Sequence, residues 1–411
     1  MGVGASGCGN PANSLARMAS ARSAALNAKP PRYVLFPADG RLADICPELM
    51  VIVLQYLPSA EAHGAAALPL CRTHAQQITA NRALWVALCS GRPLRAPAQL
   101  MCECPTARAA QSLHRRMVVA VQSLETARSV DALLGAMAPF PRVVGVQLRC
   151  LRALVPLLES PENRKAAQDS CITGIVVNAM RAFGRDVELQ LAALHSLVLL
   201  ARPIGGSEGM VFSRGMARPT GLDALLGERG GIVSVLETMA RHEANADVQA
   251  MACWALVNVM LIPQQKALVV ARGGVQAVLR SMQAHPRHFE VQYRALFALI
   301  NLLVPDGSPP RLAYEELVPF VLAAMETFAA HEALVNRGCL VLHNLALSEP
   351  NHALLARAGV PRLLARMLAL HPKEPVVQES ATGIIRRLAH VTEALQRGGG
   401  GAAVGVGGGS A

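Results

Sequence analysis

Three asparagines stand inside apolar helical text: Asn258 in "DVQAMACWALVNVML", Asn301 in "EVQYRALFALINLLV" and Asn344 in "LVNRGCLVLHNLAL". Four residues before each, on the same helical face, lie Trp254, Phe297 and Leu340. A carboxamide carries one acceptor and two donors, which matches the unpaired N–H and C=O groups of an extended peptide. The large apolar neighbours would then form walls around a ligand side chain. The plainer role for the same amides is to tie down neighbouring chain, with Trp254 and Phe297 as core. Arginines share this face: Arg149 and Arg152, then Arg294 and Arg337, with Arg387 where a fourth asparagine would fall. Guanidinium pairs bidentately with carboxylate and phosphate, so the face would suit an acidic or phosphorylated segment.

Catalytic chemistry is not indicated. No glycine loop sits between a strand and a helix as phosphate binding needs, and no nucleophile occupies a strand-to-helix turn. Cys102, Cys104 and His114 lack the spacing of a zinc finger or ribbon, and no cofactor or metal is expected. The formal charge of +11 would fit acidic partners, but the basic residues are spread out and no aromatic-studded basic cluster appears. Direct nucleic-acid binding is therefore not expected.

The helices that carry these residues recur. Starts at Val146-Gln147, Leu189-Gln190, Val248-Gln249, Val291-Gln292, Leu334-Val335 and Val377-Gln378 are spaced 43, 59, 43, 43 and 43 residues. A methionine series at Met137, Met180, Met239, Met282, Met325 and Met367 follows the same ruler, with 42 at its last step. Both place one insertion in the Gly/Ser/Arg-rich loop 203–221. Each unit reads as three helical pieces, with Gly230-Gly231, Gly273-Gly274 and Gly359 at sharp corners that call for positive φ. Their apolar faces need stacked neighbours for cover. A content of 52% hydrophobic but only 3% aromatic residues suits such Ala/Leu/Val-rich stacks.

The period, the glycine corner and "WALVN" together resemble armadillo repeats, over residues 126–395. HEAT repeats share the length but usually lack the corner. The resemblance implies an all-α, right-handed α-solenoid whose third helices line a concave groove for extended peptides. In that groove Asn258, Asn301 and Asn344 would bind the ligand backbone, and about three peptide residues would span each layer. Pro156, Leu199 and Arg387 depart from the asparagine, and Glu315-Glu316 from the glycine pair. Import receptors that carry "WALVN" need acidic grooves for basic signals, whereas this one is basic.

Ahead of the repeats, a connecting segment at 93–125 follows a head at 39–92. The head resembles an F-box: a proline-led helix with "LQYLP", a Cys-Arg pair, then "NRALW". It departs at Cys46, His74 and Pro69. The resemblance implies that Pro47, Leu49, Ile52, Val53 and Leu57 dock on a Skp1-type adaptor of a cullin ubiquitin ligase. The alternative is a helical cap on the stack. "MGVGAS" fits N-myristoylation at Gly2, with Cys8 as a second acylation site, and this would make a membrane-tethered scaffold. A transit peptide or a plain disordered basic N-terminus over 1–38 are the other readings. Residues 396–411 read as a flexible glycine-rich tail. Ten scattered cysteines favour a reducing compartment, and no transmembrane helix is read, so the expected location is cytoplasmic, with nuclear or peripheral-membrane sites open.

Overall fold

A chain that leaves one helix and enters the next at a sharp angle needs a left-handed residue at the corner, and only glycine adopts that without strain. Gly230, Gly273 and Gly359 do so, with φ of 72°, 78° and 80°. The second glycine of a pair answers a different need. A side chain at Gly274 would meet the Val269 carbonyl at 2.8 Å, so the corner closes only without one.

The computed structural model describes residues 82–90, 94–127, 129–202, 230–261, 263–303 and 314–399. They belong to a unit beginning at Asn81, separate from residues 1–80. The proposed docking residues Pro47, Leu49, Ile52, Val53 and Leu57, the acylation positions Gly2 and Cys8, and the loop 203–221 lie outside the described residues.

All regular structure among the described residues is helical. Three leading helices are α1 (Arg82–Ser90), α2 (Ala98–Cys102) and α3 (Ala107–Thr126). Then α4 (Val130–Met137) and α5 (Val144–Leu157) form a first layer. Next come α6 (Pro161–Asp169), α7 (Ile172–Ala182) and α8 (Val187–Leu200). Beyond the insertion lie α9 (Gly231–Arg241) and α10 (Ala246–Val259). The following layer is α11 (Pro263–Ala271), α12 (Gly274–Ala284) and α13 (Phe289–Leu303). The last two layers hold α14 (Tyr314–Thr327) and α15 (Glu332–Ala346), then α16 (His352–Arg357), α17 (Val360–Leu370) and α18 (Pro375–Gly399). The last helix runs to Gly399, four residues into the stretch expected to be tail.

The third helices α5, α8, α10, α13, α15 and α18 pack each on the next, and so do the second helices from α7 to α17. One continuous apolar core joins them, with Leu151, Leu194, Leu256, Leu299 and Leu342 among its fully buried residues. Where all three pieces of a 43-residue unit lie among the described residues, as in the layer α11–α13, they are separate helices.

Helix ends leave carbonyls without intrahelical donors, and here side chains supply them. The glutamine that opens most third helices turns back onto its own second helix. Gln147, Gln190, Gln249, Gln292 and Gln378 each donate from Nε2 to two carbonyls, ten and seven residues earlier. The distances run from 2.8 to 3.2 Å. Gln190 Oε1 in turn accepts from Thr238 of the next layer at 2.8 Å, and Gln249 Oε1 from Ser281. Val335 breaks the series.

Histidines at the second-helix ends cross between layers. His242, His285 and His371 present Nε2 to the carbonyls of Gly184, Glu243 and Ala329, each at 2.7 Å. First-helix residues close the remaining gap: Asn163 and Arg164 donate to Leu157, Leu158 and Glu159, and Asn351 and His352 to Leu345 and Ala346.

Gln249 is 1% exposed and joins three groups, so its loss strands several buried partners. Gln249→Ala should lower unfolding free energy by about 1–3 kcal/mol in a urea titration, the scale for buried polar groups left unpaired.

Candidate functional site

The face defined by the third helices holds Arg152, His195, Trp254, Phe297 and Leu340 at one register position. Since α5, α8, α10, α13 and α15 pack in sequence, these side chains form one row. All are partly or fully exposed.

The asparagines stand one turn further along. Asn258 donates from Nδ2 to the Val198 carbonyl at 3.0 Å, Asn301 to Val257 at 2.9 Å, and Asn344 to Ile300 at 3.4 Å. Each acceptor belongs to the third helix of the preceding layer. Local chain geometry explains why it is open. The N–H of Leu261, which would close a helical bond on Val257, turns instead to Asn258, and that of Arg202 turns to Leu199 rather than Val198. The carbonyls so orphaned are taken by the next layer's amide. The first duty of this ladder is therefore internal.

Asn301 is 3% exposed, and its Oδ1 is buried without a hydrogen-bond partner. Asn258 and Asn344 are half-buried, and among the described residues each makes this one side-chain hydrogen bond, with a second N–H and the carbonyl oxygen left over. The three amides stand in line, but they are not equivalent as ligand groups.

The arginines divide as well. Arg294 is 8% exposed, its guanidinium lies 4.3 Å from the Trp254 ring centroid, and its Nε pairs with Glu290 at 2.9 Å. Burial pushes its pKa down, and Glu290 pulls it back up. Such a group is a structural cation with little left to offer a ligand. Arg337 lies 3.6 Å over the Phe297 ring and donates from Nη2 to the Tyr293 hydroxyl at 3.1 Å. It is half-buried and makes no ion pair among the described residues. A stacked guanidinium keeps its N–H edge pointed away from the ring, which is the geometry that grips carboxylate or phosphate.

At the other end Arg152 pairs with Glu188 at 3.3 Å, both well exposed, and Arg202 stands 3.9 Å from Glu159. Arg149, also on α5, is half-buried. The face is thus less uniformly basic than its sequence suggests: Glu188 and Glu290 screen arginines that a linear reading leaves free.

Two histidines on these helices have shifted pKa values, His195 within the row and His343 one residue before Asn344. His195 has its pKa lowered by burial, with Glu159 opposing and Arg294 reinforcing the shift. His343 is lowered by burial and then by Arg387, with Glu379 opposing. Cys150, Cys253 and Cys339 lie behind the face, their thiols pushed up to about 12 by burial. Cys102 ends α2, Cys104 follows it, and the His114 ring lies tilted against Trp85 with centroids 5.5 Å apart. Among the described residues no three metal-ligating side chains converge, and no helix is long and apolar enough to cross a membrane.

The glutamine and histidine ties and the Glu290 pair were not anticipated from sequence. The recurring Val-Gln and Leu-Gln dipeptides, the histidines His242, His285 and His371 on the 43-residue ruler, and the i,i+4 spacing of Glu290 and Arg294 were the available signals.

No family model and no curated protein matches the chain. Among solved structures, the crystal structure of an engineered protein from a structural genomics consortium aligns with a TM-score of 0.43 and 18% identity. The alignment covers 60% of this chain and 92% of that one. Similarity at that level carries no argument.

Two outcomes follow from this geometry. Asn301→Ala strands the Val257 carbonyl and should lower stability by about 1–3 kcal/mol in denaturant titrations. For His195 the folded pKa lies below the ordinary 6.5, so an unfolded chain takes up a proton that the folded chain refuses. The contribution is full above 6.5 and declines as pH falls toward the lower folded value. His195→Phe should flatten the fall in urea midpoint on acidification; an unchanged slope would contradict it.

Proposed function

We propose that residues 126–395 form an armadillo-type, right-handed α-solenoid that acts as a non-enzymatic protein-interaction adaptor. Its third-helix face binds an extended peptide with acidic or phosphorylated side chains. The observation that carries this reading is Arg337, stacked on Phe297, held by Tyr293 and lacking an acid partner among the described residues. A carboxylate or phosphate arriving there forms charge-assisted bonds with a cation already fixed in place. Asn258 and Asn344 offer their remaining amide groups to the peptide backbone on either side of the buried Asn301. The row from Trp254 to Leu340 supplies the apolar walls.

The F-box-like text at 39–92 adds the second half of the proposal. A head that docks on a Skp1-type adaptor would make this chain the substrate-recruiting subunit of a cullin ubiquitin ligase, with the repeats holding the client.

The two halves are tested apart. Full-length protein should retain a Skp1-type adaptor in a pull-down, and Leu49→Asp/Ile52→Asp should lose it; no retention by wild type would refute the ligase role. On a peptide array, glutamate- and phosphoserine-containing sequences should be captured in preference to lysine-containing ones, with binding that weakens as salt rises. Equal capture of both classes would refute the anionic preference.

A further inference from the structure

The arginine stacks follow a rule. Arg294 comes from the layer after Trp254 and covers its ring, and Arg337 comes from the layer after Phe297 and covers that ring. The chain thus fills its own aromatic slots with its own guanidinium groups. The next slot, over Leu340, would have to be covered from position 380, where the register places Ser380, a side chain too short to span the gap. Ser380 is itself 8% exposed and stays within the α15–α18 contact.

Position 383, next in the row after Leu340, is glycine, and a Cβ built there would meet nothing within 4 Å. In the last layer the register therefore leaves room that the preceding layers fill. A cation borders that room: Arg387 stands one turn beyond Gly383 on α18, exposed. Arg387 lies close enough to His343 to lower that ring's pKa. Asn344, at 3.4 Å from its carbonyl, has the longest bond of the amide ladder. The one acid that acts on the same ring is Glu379, exposed on α18.

We infer that this last layer, between α15 and α18, is a socket for one anionic side chain of the extended peptide. The side chain would rest on Leu340 above Gly383, beside Arg387, with the flanking peptide group on Asn344. The socket deepens the peptide-binding reading and rests on it. It adds a second point of charge selection, one layer beyond the Arg337 stack. The Trp254 layer, whose slot is filled by the ion-paired Arg294, then contributes length and backbone contacts.

The test uses the full chain and three labelled peptides of one extended backbone, with phosphoserine, glutamate or lysine at the centre. Wild type should bind the first two and not the lysine peptide. Gly383→Leu fills the socket where there is space for the added atoms, so helix content by circular dichroism should be retained while affinity falls by about tenfold or more, the scale of losing a charge-assisted contact. Arg387→Glu should cause a comparable loss, and Arg366→Glu on exposed α17 should not. Unchanged binding by both Gly383→Leu and Arg387→Glu would overturn the socket and leave the peptide-binding reading standing. Equal binding of the lysine peptide would overturn the charge selection. Failure of wild type to bind any of the three would defeat the reading on which the socket rests.

Discussion

Every α-helix ends with carbonyls that its own backbone cannot pair, and a stack of short helices multiplies that problem at each corner. In this protein the solution is side chains aimed at those carbonyls. Glutamines fold back within a layer, histidines and asparagines reach across to the layer before, and first-helix residues close the rest. A buried unpaired carbonyl is expensive enough that each tie matters to local stability. Because the acceptors lie at fixed register positions, the ties also hold neighbouring layers in step. The side chains on the third helices keep one register because of that lock.

The same economy governs charge. A guanidinium enclosed against an aromatic ring needs an acid or a hydroxyl to complete its hydrogen bonds, and Arg294 has Glu290 while Arg337 has only Tyr293. Two arginines one repeat apart therefore have opposite prospects. One is absorbed into the scaffold, and the other is held rigidly with donors to spare. Rigid placement matters for binding, since a side chain already ordered gives up little entropy when a ligand arrives.

Much of the architecture was legible in the sequence because helical periodicity and glycine corners are local signals. The positive φ at Gly230, Gly273 and Gly359 follows from residue type and position alone. The roles of the asparagines were half legible. Their common face could be read from spacing, but the carbonyl that each one meets belongs to another layer, and those of Val198 and Val257 are vacant because a turn diverts the usual donor. The arginine stacks were hidden for a related reason: Arg294 and Trp254 are 40 residues apart, and their meeting depends on how far one layer is offset from the next. Glu188 looked like an ordinary helix-start residue until packing placed it beside Arg152 of another helix, whereas Glu290 meets Arg294 by i,i+4 spacing on one helix. Buried Gln265 and Lys266, each 5% exposed, share the register of the capping pair Asn163 and Arg164, which no property of their own text suggested.

The most direct test of inter-layer amide locking is hydrogen exchange, read by mass spectrometry on the full chain carrying Asn301→Leu. If the amide holds the preceding layer through the Val257 carbonyl, protection should fall at the C-terminal end of α10 as well as in α13, where the substitution lies. Faster exchange confined to α13, with α10 as protected as before, would contradict the account.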